Sequence, residues 1–176
     1  MEELDAKFAK TQHERVGNFP RAWQLVASNL LSASQVLREK CESSDSRSAT
    51  TGELGAVELM LRGMAIECLL KALWLKQGRA LVKDGHFKGV AGAGAHDLPQ
   101  LTLAVAFPLS DLEKDLLRRL SHFIEYGGRY PVPKDANKLR LTPAPGGGKA
   151  SATTWSTPTD NQLFDALILR LDKLLA

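Results

Sequence analysis

The stretch Thr51–Gly78, TGELGAVELMLRGMAIECLLKALWLKQG, decides the fold class. Its apolar residues Leu54, Val57, Met60, Leu61, Met64, Ala65, Cys68, Leu69, Ala72 and Leu73 recur at steps of three and four, the spacing of an α-helix. The stripe is dense enough to imply burial on more than one side. Thr50 and Glu53 stand three apart, as in a capping box, where a hydroxyl and a carboxylate cover early backbone N–H groups. Gly78 suits the left-handed residue that closes a helix.

Working outward, Pro20 suits a first helical turn because its missing N–H would be unpaired there anyway. Trp23, Val26, Ala27, Leu30, Ala33 and Leu37 then form a stripe, predicting a helix over about 20–40. CESSDSRSATTG after it reads as a mobile loop. The glycine-rich stretch 79–95 has no sustained period and reads as a long loop. Asp97, with Pro99 behind it, predicts a cap for a helix over about 97–107. Ser110 and Glu113 repeat the capping-box spacing before a helix striped by Leu112, Leu116, Leu117, Leu120, Phe123 and Ile124.

That helix stops at Gly127-Gly128, where one glycine would supply positive φ, and GGRYP turns the chain. Residues 129–158 hold four prolines before Gly146 and a glycine run, so they read as a long connection in which KLRLT alternates like a short strand. The last segment, from 159 to 176, is an amphipathic helix with Thr159 or Asp160 as its cap. The expected fold is therefore all-α, a single-domain up-and-down bundle of four to five helices with two long loops.

Composition bounds the function. Hydrophobic residues make up 44% and charged residues 24%, and no apolar run approaches the roughly 18–20 residues of a membrane span. The charged N-terminus lacks the apolar core of a secretory signal, so a cytoplasmic location without membrane association is expected. Cys41 and Cys68 have neither metal nor redox spacing, and Cys68 reads as a buried reduced thiol. A net charge of +3 is compatible with an anionic partner but short of a strong nucleic-acid signature. His13, His86 and His96 form no metal-ligand spacing, and neither a phosphate loop nor a nucleophile elbow occurs; neither metal nor cofactor is expected.

Two polar groups stand out on the helices. Glu67 and Lys71 are four residues apart with the acid first, the favourable order for a helix ion pair. They form a solvated surface pair, or else Glu67 orients a basic group in a neighbouring cleft. Arg118, Arg119 and His122 fall within a turn and a half, with Arg118 and His122 on one face. A cation and a titratable imidazole are what metal-free RNA cleavage needs, the base for the 2′-hydroxyl and the charge for the phosphate.

The order AIECLLKALW, then HDLPQL, then a leucine-rich helix closing on GGRYP resembles the HEPN superfamily, the nucleotide-binding domain of higher eukaryotes and prokaryotes. The likeness covers about residues 55–135, in the bacterial form with E-x-x-x-K, H-D-L and R-Y-P motifs. It implies a helical bundle that forms a homodimer. It also implies an RNA or nucleotide ligand, in many members with metal-independent RNase activity in toxin–antitoxin or other defence systems. The RNase members carry an arginine, four to six residues, then a histidine on a late helix. Here three residues separate Arg118 from His122 and two separate Arg119 from it, so the spacing differs.

Arg118, Arg119 and His122 are the catalytic candidates, with His122 as acid or base. Arg129, Tyr130, His96, Glu67 and Lys71 are the candidates for holding RNA or a nucleotide, Arg129 and Tyr130 by phosphate contact and base stacking. The alternative function is a non-catalytic helical interaction protein, an antitoxin or accessory member of a defence pair, for which a nucleotidyltransferase-type protein is the implied partner.

Overall fold

The computed structural model describes residues 2–43, 49–143, 147–151 and 159–176. Among them are α1 (Glu2–Gly17), α2 (Pro20–Ser43), α3 (Ala49–Lys76), β1 (Val82–Lys83), β2 (His86–Phe87), α4 (Leu98–Ala104), α5 (Asp111–His122), β3 (Thr142–Pro143), β4 (Lys149–Ala150) and α6 (Thr159–Leu175). The protein is a helical bundle, as its periodicity predicts, with two tiny antiparallel ribbons, β1–β2 and β3–β4.

Helix α3 is the hub. Ile66, Leu69, Leu70, Leu73 and Trp74 are all buried, so apolar residues lie inside around most of its circumference. Helix α2 lies along one side of it, while α4, α5 and α6 pack elsewhere on its surface. Leu116, Leu117 and Leu120 of α5 are fully buried, each contributing about 2 kcal/mol of hydrophobic transfer. Phe164, Leu167 and Leu171 bring α6 into the same core.

The punctuation residues do what their chemistry predicts at three helix ends. Ser110 Oγ accepts from the Glu113 N–H, and Glu113 reaches back to the Ser110 N–H. Asp97 accepts from the Gln100 N–H at the start of α4. Gly78 has φ +79° behind α3, a conformation that costs other residues a Cβ clash. The Thr50–Glu53 cap concerns side chains outside the described residues.

Several expectations are corrected. Residues before Pro20 form α1, although their charge hid any apolar period. The expected α2 stripe is partly displaced: Val26 is 47% exposed, whereas Ala27 and Ser34 are buried. The loop 79–95 contains the β1–β2 hairpin, whose Asp84 and Gly85 both have positive φ, the backbone of a tight primed turn. Helix α4 ends at Ala104, short of residue 107. Lys138 and Leu139 belong to a 3₁₀ turn, Ala136–Leu139, and only Thr142 of KLRLT enters a strand.

The glycine pair after α5 is the most instructive correction. Phe123–Gly127 form a π-helical turn, closed by the Gly128 N–H donating to the Phe123 carbonyl at 3.1 Å. Gly128 has φ −91°, so positive φ is not its reason. A Cβ there would lie 2.5 Å from Met60 Cβ and 3.0 Å from the Ala56 carbonyl oxygen; glycine lets the corner touch α3.

Candidate functional site

The turn His96-Asp97-Leu98 ties three consecutive residues to three places. His96 has φ +67°, uncommon for a residue with a side chain. Its Nδ1 lies 2.8 Å from Glu67 Oε2 on α3. Asp97 caps α4, and the buried Leu98 donates its N–H to Ser121 Oγ on α5 at 3.1 Å. The strained backbone is thus over-determined by its neighbours.

Glu67 is buried and holds two side chains at once. Oε1 accepts from Lys71 Nζ at 2.5 Å, and Oε2 faces His96. Burial opposes the charge, but Lys71 and His96 outweigh it and hold the carboxyl below its usual range. An ionised carboxylate can only accept, so Nδ1 of His96 carries the proton, and Nε2 is the nitrogen left for other work. Glu67 and Lys71 are therefore not a solvated surface pair: Glu67 is buried and contacts both Lys71 and His96.

Lys71 is also enclosed by aromatics that sequence reasoning did not nominate. Its Nζ lies 5.0 Å from the Trp23 ring centre and 5.3 Å from that of Phe87. Phe87 arrives on the β1–β2 hairpin, which Asn18 fastens between α1 and α2. Asn18 Oδ1 accepts from the Leu81 and Val82 N–H groups, and Nδ2 donates to the Val82 carbonyl. Asp84-Gly85 was the available signal for that hairpin.

The GGRYP corner forms the other half of the site. Arg129 Nη2 donates back to the Ile124 and Glu125 carbonyls, closing the π turn, and its guanidinium carbon lies 5.6 Å from the Tyr130 ring centre. Arg129 and Tyr130 line a cavity of about 600 Å³ together with His96, Tyr126, Glu125 and Lys138. Lys138 is ion-paired with Glu125. The structure thus brings Glu67, Lys71 and His96 together and joins them, through His96, to Arg129 and Tyr130.

The α5 candidates fare differently. Arg119 is buried and makes two 2.7 Å hydrogen bonds to the Asp160 carboxylate, plus one of 2.8 Å to Asp115. Burial works against its charge, but these acceptors outweigh it and raise its pKa. Asp160 is therefore the anchor that holds α6 to α5. Arg118 donates to the other Asp115 oxygen at 2.7 Å. His122 packs against Tyr126 with ring centres 5.9 Å apart, and its buried Nδ1 has no hydrogen-bond partner. Burial, with smaller contributions from Arg118 and Lys138, outweighs Glu125 and lowers its pKa.

Among the described residues, no group of three or more His, Cys, Asp or Glu side chains is arranged to hold a metal ion, and no helix is long and apolar enough to cross a membrane. No protein-family model, curated protein or solved structure matches the chain significantly.

Proposed function

We propose that this chain is a HEPN-like helical protein that binds RNA or a nucleotide in the cavity shared by His96, Arg129, Tyr130 and Lys138. The observation that carries the reading is the double position of His96, held by Glu67 on one side and lining the cavity of the RYP corner on the other. Arg129 offers donors to a phosphate, Tyr130 offers a ring face to a base, and Nε2 of His96 is a ring nitrogen that can pass a proton. His96 replaces His122 as the acid/base residue in this reading. On RNA, Nε2 takes the 2′-hydroxyl proton as that oxygen attacks the adjacent phosphorus. The bond to the 5′-oxygen breaks, and the leaving oxygen takes a proton from the imidazolium.

Titrating labelled single-stranded RNA into the protein at low and high salt, with EDTA present, tests this. Binding should weaken with salt, and Arg129→Ala should lower the salt slope by about 1. Cleavage, where seen, should vanish in His96→Ala and survive His122→Ala. An absence of binding at low salt overturns the reading.

One observation favours a second reading, a non-catalytic partner in a defence pair. Both arginines nominated to stabilise a phosphate, Arg118 and Arg119, are held by carboxylates. Copurification with a nucleotidyltransferase-type partner, without RNA binding, would support it. The homodimer that the resemblance implies is checked by light scattering.

A further inference from the structure

We infer that the outward face of α2 is a self-association seam, on which a second copy of this chain packs its own α2 in antiparallel, two-fold symmetry. This pairing surface is independent of the nucleotide reading. The stretch Ala22–Leu37, AWQLVASNLLSASQVL, contains no charged residue. Yet the core uses only one side of it: Ala27 and Ser34 are buried, while Leu25 is 60%, Val26 47% and Val36 64% exposed. An exposed helix face ordinarily carries charge, whereas the centre of a protein interface is depleted of it.

The exposed residues are ordered as a seam. Ala22, Val26, Asn29, Ala33 and Val36 follow in steps of four, three, four and three, the heptad spacing at which two helices interlock. At about 3.6 residues per turn they fall within a quarter of the circumference, on the side away from Ala27 and Ser34. The pattern is also its own complement when reversed. With the two-fold axis at the level of Leu31, Val26 meets Val36 of the second copy and Asn29 meets its Ala33. Each contact then occurs twice, as an isologous interface requires. Asn29 is a polar group within the seam, of the kind that fixes register, and the small alanine opposite leaves room for its amide.

Charge selects the antiparallel direction. Arg21 and Glu39 stand just beyond the two ends of the uncharged stretch, both exposed and, being a whole number of turns apart, on the same flank. Glu39 also accepts from Gln35 within its own helix at 2.8 Å. A parallel pair would set arginine beside arginine and glutamate beside glutamate. The antiparallel pair brings Arg21 level with Glu39 of the second copy to within about 3 Å along the axis, at both ends.

Sedimentation equilibrium of the full chain over a dilution series tests this. Wild type should pass from dimer to monomer on dilution, the seam being only about 21 Å long. Val26→Glu and Val36→Glu should each raise the dissociation constant about 10-fold or more, since each sets a charge against a valine. Both positions are exposed within one chain and glutamate is the better helix former, so circular dichroism should show the fold unchanged. Glu39→Arg should raise the constant about 5-fold by placing arginines together, and the Arg21→Glu/Glu39→Arg double variant should return it to the wild-type value. A chain that stays monomeric at every concentration overturns the inference. So does a dimer indifferent to both glutamates, which would pair through another face, or an affinity that Glu39→Arg leaves unchanged or the double variant fails to restore. None of the substituted residues lines the cavity at His96, so RNA binding reads out the nucleotide proposal separately.

Discussion

His96 Nδ1 meets Glu67 Oε2 at 2.8 Å across 29 positions of the chain, joining the middle of α3 to the turn before α4. The contact converts two separate motifs, E-x-x-x-K and H-D-L, into one polar unit, and it gives His96 a defined tautomer at the rim of a cavity. Glu67 itself does not line that cavity and reaches it only through His96.

Arg119 and Arg118 are adjacent in sequence but should behave differently. Arg119 is buried in a bidentate pair with Asp160, so Arg119→Ala strips both of these charge-assisted hydrogen bonds from a buried carboxylate and should cost about 3–5 kcal/mol. Arg118 has a partly exposed single contact to Asp115, and Arg118→Ala should cost no more than about 1 kcal/mol. Urea unfolding of the two variants checks this, and equal losses would contradict the structural role given to Arg119.

Gly128→Ala should destabilise the corner by about 1–3 kcal/mol, because the new methyl overlaps Met60 Cβ and the Ala56 carbonyl. Trimming Met60 to alanine should not restore the loss, since Cβ and the backbone oxygen remain. Thermal melts of the single and double variants check this: full restoration by Met60→Ala would place the clash at the outer part of the Met60 side chain and contradict the contact with its Cβ and the Ala56 backbone.

The legible parts of the fold were those where local chemistry and tertiary context agree. Helix α3, the Ser110–Glu113 box, the Asp97 cap and Gly78 are all set by neighbouring residues, and they occur where the sequence places them. Helix α1 was not legible: Leu4, Phe8 and Val16 are exposed, so no buried stripe patterns it. The hairpin was signalled by Asp84-Gly85 but hidden among the glycines of its loop. Around the cavity, the contact between Glu67 and His96 and the aromatic rings beside Lys71 were not legible. Whether Arg119 faces a cavity or Asp160 depends on how α6 docks, and how the His96 ring is held depends on Glu67. Neither relation leaves a periodic trace.

Asn18→Ala should loosen the β1–β2 hairpin selectively. Three hydrogen bonds from one side chain hold a ribbon that is too small to be stable alone. Their loss should cost about 1–3 kcal/mol locally. Hydrogen exchange at the Leu81 and Val82 amides should accelerate while α5 amides are unchanged. Uniform acceleration would instead mean that Asn18 supports the whole bundle.

Acid should weaken the fold in two windows that two variants separate. His122 has a lowered pKa in the folded state, so the unfolded chain takes the proton first, and stability falls as pH drops below about 6.5. His122→Gln should flatten the stability profile between about pH 7 and 5. Glu67 also has a lowered folded pKa, but as a carboxyl its contribution is fully present above the ordinary value of about 4.3 and disappears only as pH falls through the folded one. Glu67→Gln should therefore cost about 3 kcal/mol at pH 7, leaving Lys71 without its acid, and the gap from wild type should narrow only below about pH 4. Urea midpoints measured from pH 8 to pH 3 distinguish the two groups. A wild-type profile that stays level between pH 7 and 5 would contradict the buried neutral state assigned to His122.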